Sequence, residues 1–137
     1  MATWQLGPFD NDDAVEWCAD LERADPGQRL ELVRHTLKAA ITAGPALTVE
    51  EAARAIAAAA VVLQSLTGVP PSDSAYAPQF LLGRDDIPAS PSLRMLARRA
   101  LDTTLVEGST WCRRWAGDIE EEDALAVVED LRTKLSP

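Results

Sequence analysis

Residues 48–68, TVEEAARAIAAAAVVLQSLTG, constrain the fold of this chain more than any other stretch. Every residue from 55 to 63 is apolar, so a helix through this segment has no polar face, and such a helix is buried. Alanine is the best helix former, and the stretch is too long for a typical strand. Thr48 and Glu51 form a capping box, and Gly68 stands where a glycine ends a helix. The sequence therefore predicts a buried third helix, too short in its apolar run to span a bilayer.

Apolar residues at helical spacing predict further helices on both sides of this segment. We expect a first helix over about residues 12–24, a second over 26–43, a fourth over 91–107 and a last over 118–135. A short helix between the last two places Trp111 and Trp115 on one face. No window alternates like a strand. We predict a single all-α domain over residues 1–137, a compact bundle of five main helices plus one or two short ones around the alanine-rich third helix.

Three further helix starts have recognisable capping residues. Asp25 followed by Pro26 and Gln28 predicts the start of the second helix, with the proline in the first helical position. Ser90 before Pro91 predicts the start of the fourth helix in the same way. Residues 118 and 121, an aspartate and a glutamate, predict a capping box for the last helix.

The segment between the third and fourth helices differs in composition from the rest of the chain. Residues 69–92 contain five prolines, and a loop of this length is unusual inside a compact domain unless it is functional or holds structure of its own. We predict a proline-rich loop in which one helical turn at residues 79–83 holds Phe80 and Leu81 against the core.

The charge balance limits the partners of this chain. It has 13 Lys and Arg against 22 Asp and Glu, a net charge of −9. Because affinity for phosphate needs neutralising cations, we expect no nucleic-acid or anionic-membrane partner, whereas a basic protein partner is permitted. The N-terminus lacks the basic and apolar regions of a signal peptide, and the two cysteines lie far apart in sequence. We therefore expect a cytoplasmic protein with two free thiols.

Few residues offer recognisable catalytic or metal-binding chemistry. His35 is the only histidine, and its helix position predicts a solvated side chain. The acidic run at residues 10–13 fails the calcium-loop pattern at positions 5, 6 and 12, so helix capping explains it better. Cys18 lies on an apolar stripe, and a nucleophilic cysteine needs a base or a helix N-terminus to lower its pKa. We predict no catalytic residue, no metal and no cofactor.

Several clusters keep two interpretations. The acidic residues 118–123, DIEEED, favour the start of a helix and form either a solvated face or a docking patch for a basic partner. The arginines of the fourth and short helices can bind an anion, although Arg98 with Asp102 at i+4 is more simply an intrahelical ion pair. Trp111 and Trp115 either fill a core or oligomer interface or stack on a ligand.

The N-terminal run resembles a bacterial family catalogued as domain-of-unknown-function family 4259, whose members typically open with W-G-x-G-P-F-[DE]-N-D-x-A. The matching residues are Trp4, Gly7, Pro8, Phe9, Asp10, Asn11, Asp12 and Ala14, followed by Trp17 and Leu21. Gln5 stands where the family usually has glycine. The resemblance implies a small all-helical domain and assigns no activity.

Two interpretations of this opening motif follow from its residues. In the structural one, Gly7-Pro8 turns the chain, Trp4 and Phe9 pack beside Trp17, and Asp10 or Asn11 caps the first helix. In the functional one, the same residues form a recognition surface. The residue types favour the structural account.

For function, we expect a non-enzymatic interaction module that binds another protein or itself. The alternative is a small enzyme or ligand-binding domain with a cleft between the proline-rich loop and the late helices. In that case Tyr76, Cys112, Arg113 and Trp115 are the candidates to line the cleft. Nothing in the sequence identifies a small-molecule ligand.

Overall fold

The computed structural model describes residues 6–71 and 76–136, and within these ranges the chain forms six α-helices and no strand. The helices are α1 (Asp12–Arg23), α2 (Arg29–Ala43), α3 (Val49–Thr67), α4 (Pro91–Leu105), α5 (Thr110–Trp115) and α6 (Glu121–Leu135). Short 3₁₀ turns occupy Pro26–Gln28, Gly44–Ala46 and Gln79–Leu81. The predicted all-α class, with five main helices and a short one, is confirmed. In the described part of the chain, no helix combines the length and apolar character needed to cross a membrane.

The helix α3 packs against all five other helices. Its buried residues are Ala52 and the continuous run from 55 to 64. Alanine side chains are small, so neighbouring helices approach this run closely from several sides. The capping box is present in both directions: the Thr48 N–H donates to Glu51 Oε1 at 2.8 Å, and the Glu51 N–H donates to Thr48 Oγ1 at 3.0 Å. Gly68 ends the helix at a φ of 80°, a left-handed conformation that favours glycine.

The second large helix–helix junction is made by α4, which packs against α2, α3, α5 and α6. It begins as predicted, with Ser90 as the cap: the Leu93 N–H donates to Ser90 Oγ at 3.2 Å, and Pro91 takes the first helical position. Its buried face carries Leu93, Ala97, Ala100, Leu101 and Thr104. The buried apolar residues of α3 and α4 belong to one core cluster.

Two predicted caps are wrong. Asp25 precedes a 3₁₀ turn and accepts no capping hydrogen bond, and α2 begins only at Arg29. The last helix begins at Glu121 rather than at Asp118. The Asp118 carboxylate instead accepts the Glu120 N–H at 2.8 Å inside a turn. In both places the chain closes a tight turn before the helix, so the acidic residue lies too early to reach the free N–H groups of the first helical turn.

The proline-rich segment is fixed to the helices by Arg29, which is buried at the start of α2. Its Nε and one terminal nitrogen donate to the carbonyls of Leu21 and Glu22, at 3.0 and 2.9 Å, at the end of α1. Its other terminal nitrogen lies 2.7 Å from Asp86 Oδ2, and its guanidinium carbon lies 4.8 Å from the centre of the Phe80 ring. One side chain thus joins α1, α2 and the segment that leads into α4.

Two other local predictions, one in the proline-rich segment and one in α4, have opposite outcomes. Residues 79–81 form the expected helical turn, with Leu81 buried and Phe80 packed against the core. The predicted intrahelical pair of Arg98 with Asp102 is wrong, because Asp102 pairs with Arg132 of α6. This ion pair joins two helices instead of stabilising one.

Candidate functional site

The opening motif forms a turn that leads directly into α1. The Asp10 N–H donates to the Gly7 carbonyl at 3.1 Å, which closes a turn around Pro8. Asn11 is the helix cap, since its Oδ1 accepts the Ala14 N–H at 2.8 Å. Phe9 is fully buried between these two features. The predicted turn and cap are therefore confirmed.

The remaining motif residues divide between core, surface and the part of the chain that is not described. Trp17 is buried and donates from its indole nitrogen to Thr36 Oγ1 of α2 at 2.9 Å. Asp12 is exposed in the first turn of α1, where a carboxylate is favoured by the helix dipole. The predicted packing of Trp4 lies outside the described residues.

A cleft of about 410 Å³ opens between this motif turn, the start of α3, and the last two helices. Four groups of residues line it: Leu6, Gly7, Pro8, Asp10, Asn11 and Asp13 from the motif; Val49, Ala53 and Ile56 from α3; Trp111, Arg114 and Trp115 from α5; and Ala124, Val127 and Val128 from α6, with Glu120 just before it. The N-terminal motif and the two late tryptophans, more than 90 residues apart in the chain, thus share one surface. We call this the motif cleft.

The interior of the motif cleft is apolar. Ile56, Trp111, Ala124 and Val128 are buried at its base. Trp115 is half-buried at its side, with its ring centre 6.3 Å from that of Trp111 and the two planes tilted by 56°. Tilted rings at this distance attract each other. The tryptophan pair therefore forms a fixed apolar wall rather than two independent side chains.

Charged groups lie around the apolar interior. Arg114 stacks on Trp115, with its guanidinium carbon 4.4 Å from the ring centre, and lies 3.6 Å from Asp118. Asp13 is 3.9 Å from Arg54, a long and weak pair. Glu120 also lines the cleft and is exposed, and Ile119 beside it is 98% exposed. Asp10, by contrast, has only 7% of its surface exposed.

The four residues predicted to line a cleft near the proline-rich loop are not brought together around the motif cleft. Only Trp115 lines it. Cys112 faces the end of α4, with its Sγ 3.6 Å from each of the Thr104 and Leu105 carbonyls. Arg113 is exposed and lies 3.5 Å from Thr110 Oγ1. Tyr76 is exposed beside the proline-rich segment.

The histidine and the two cysteines considered in the sequence analysis lie outside the motif cleft. His35 is exposed on α2, as predicted. Both cysteines are free, and burial raises the pKa of Cys18 to about 12, so its thiol stays protonated at neutral pH. Within residues 6–71 and 76–136, no group of three or more histidine, cysteine or acidic side chains is arranged to hold a metal ion.

The comparisons with known proteins give one match. The model of a family described as "Domain of unknown function (DUF4259)" matches residues 2–131. The chain belongs to this family. Neither the curated proteins nor the solved structures give a match. The DUF4259 match includes every residue of the motif cleft, so the cleft lies wholly inside the family domain.

Several cleft residues carry no signal in the sequence. Val49, Ala53 and Ile56 look like ordinary members of a buried helix, and Val127 like an ordinary apolar residue of the last helix. They meet only because α3, α5 and α6 pack together. The apolar wall is exposed where α3, α5 and α6 meet, which is a consequence of tertiary structure. Helix periodicity in the sequence does not predict it.

Proposed function

We propose that this chain is a non-enzymatic interaction module that docks a segment of another protein in the motif cleft. The observation that carries the proposal is the tryptophan-walled apolar interior beside the motif turn. Tryptophan and arginine are the residues most enriched among those that dominate binding energy at protein interfaces. Trp111, Arg114 and Trp115 provide both types within two turns of one helix.

The chemistry of the lining favours binding over catalysis. Among the described residues that line the cleft there is no serine, threonine, cysteine, lysine, tyrosine or histidine. The usual nucleophiles and the imidazole base are thus not part of this surface. Its carboxylates come from the motif and from the start of the last helix, and Arg114, the one cation among the described lining residues, contacts Trp115 and Asp118.

The cleft also has the right form for a protein segment. It is open at the surface, and Ile119, next in sequence to the lining residue Glu120, is an apolar residue that is 98% exposed. Anchoring one large side chain in a desolvated pocket, with polar contacts at the rim, is the common arrangement of protein interfaces.

Site-specific photo-crosslinking in the native host tests this proposal. A photoreactive phenylalanine analogue replaces Val127, which lines the cleft, or Ala126, which is exposed and does not line it. The proposal predicts that a distinct protein is crosslinked from position 127 and not from position 126. Adding Ala53→Trp, which places a large side chain in the cleft, should abolish that product. Equal capture from both positions, or none from position 127, contradicts the proposal.

A small organic ligand is the second candidate, favoured by the cleft volume, which lies within the usual range for ligand pockets. Native mass spectrometry of protein purified without denaturation distinguishes the two. A bound molecule that is lost in Ala53→Trp and retained in Ala126→Trp favours the small ligand. Protein of the sequence mass alone, together with cleft-dependent crosslinking, favours docking.

A further inference from the structure

We infer that the occupant of the motif cleft is a positively charged protein segment with one large apolar side chain. This inference rests on the proposed docking function and specifies the chemistry of the partner. It follows from two independent properties of the cleft, the balance of charge around it and the distribution of burial within it.

The charge balance of the lining is negative. Asp13 and Glu120 present carboxylates that are at least partly exposed, whereas Arg114 is the one cation among the described lining residues. The Arg114 guanidinium lies 3.6 Å from the Asp118 carboxylate and stacks on the ring of Trp115, so its charge is partly offset within the chain. A cationic segment is therefore attracted to this surface, and an anionic one is repelled.

The whole chain reinforces this local preference. Its net charge of −9 creates a negative field that accelerates encounters with basic partners. The same field opposes docking of a second copy, because both copies carry the same excess charge. The partner is thus a different protein, or a basic region of one, rather than this chain itself.

The apolar residues at the base of the motif cleft are buried, whereas Asp13 is partly exposed and Glu120 is exposed. The base, formed by Ile56, Trp111 and Val128, is buried and apolar. Glu120 is exposed and Asp13 half-exposed at the edges. A leucine-sized or aromatic side chain fits the base, while lysine or arginine side chains next to it reach the carboxylates at the rim.

Selection from a random 12-residue peptide library tests both the inferred chemistry of the partner and the proposed docking function. The library is panned on the immobilised wild-type chain, and binders that also bind Ala53→Trp are discarded. We expect the retained peptides to carry net positive charge and one large apolar residue. Retained peptides that are neutral or acidic overturn this inference and leave the docking function standing. If no peptide discriminates wild type from Ala53→Trp, while Ala126→Trp behaves like wild type, the docking function itself fails.

A matched pair of charge variants measures the electrostatic contribution of the rim. Glu120→Gln removes a carboxylate from the cleft, and Glu122→Gln removes one from an exposed position on α6 that does not line it. For a retained basic peptide, we expect Glu120→Gln to weaken binding about two- to fivefold at low salt, the size of an exposed ion pair. The loss should shrink as salt is raised. If Glu122→Gln weakens binding equally, the overall charge of the protein explains the attraction, and a specific role for the carboxylates at the rim of the cleft is contradicted.

Discussion

Replacing Arg29 with alanine is expected to destabilise this protein far more than a typical surface substitution. The side chains of Arg29 and Asp86 are only 9% and 12% exposed, so their ion pair is largely shielded from water. The variant also removes two hydrogen bonds to the end of α1 and the contact with Phe80. Removing one member of a buried, hydrogen-bonded ion pair costs about 3–5 kcal/mol.

The expected value lies toward the lower end of that range. Asp86 keeps a second partner, Arg84, whose Nε lies 2.7 Å from Asp86 Oδ2, so its carboxylate is not left without a cation. The freed carbonyl of Glu22, which belongs to an exposed residue, can also take up water. We therefore expect a loss of about 3 kcal/mol in the free energy of unfolding.

Urea unfolding followed by tryptophan fluorescence measures this loss. The matched control is Arg23→Ala, because Arg23 pairs with Asp20 at the surface, where both side chains are more than half exposed. That control should cost less than about 1 kcal/mol. If Arg29→Ala costs no more than Arg23→Ala, the buried junction does not stabilise the fold in the way described.

Three further predictions concern the core, pH and the thiols. Ala58→Leu, which forces extra volume into the fully buried α3, should cost about 1–3 kcal/mol in urea unfolding. The matched Ala126→Leu change on an exposed helix face should shift the free energy of unfolding by less than about 0.5 kcal/mol. The hydrogen bond from Arg84, with a second from Arg29, lowers the pKa of Asp86. Its stabilisation is thus full above the unfolded-state pKa of about 3.9 and is lost as pH falls below it. In acid titrations, the stability difference between wild type and Asp86→Asn should therefore begin to shrink near pH 4 and disappear only once the pH falls below the lowered folded-state pKa of Asp86. A disulfide reagent should label Cys112 in the folded protein and Cys18 only after unfolding, because burial keeps the Cys18 thiol protonated. Rapid labelling of Cys18 in the native state contradicts that arrangement.

The features that the sequence predicts well are those decided by neighbours within one or two turns. The capping box of Thr48 and Glu51, the caps at Asn11 and Ser90, and the left-handed Gly68 depend on local backbone geometry. The caps at Asp25 and Asp118 were predicted by the same reasoning and are wrong. A tight turn can use up the residues that a helix start would need, and residue spacing does not distinguish the two.

The features that the sequence does not reveal depend on contacts between distant segments. Arg29 follows the predicted start of a helix, and no local pattern indicates that it is buried and paired with Asp86, 57 residues away. Asp102 similarly takes its partner from α6 instead of from its own helix. The motif cleft belongs to this class, since its walls come from four separate elements.

Fluorine NMR of protein labelled with 5-fluorotryptophan tests the motif cleft as a docking site most directly. The chain has four tryptophans, whose signals are assigned from single Trp→Phe variants. Addition of a basic peptide selected on the cleft should shift the signals of Trp115 and Trp111, which line it. The signal of Trp17, which is buried against Thr36 of α2, should stay in place. A bound peptide that shifts Trp17 and leaves Trp115 unchanged contradicts the proposed binding surface.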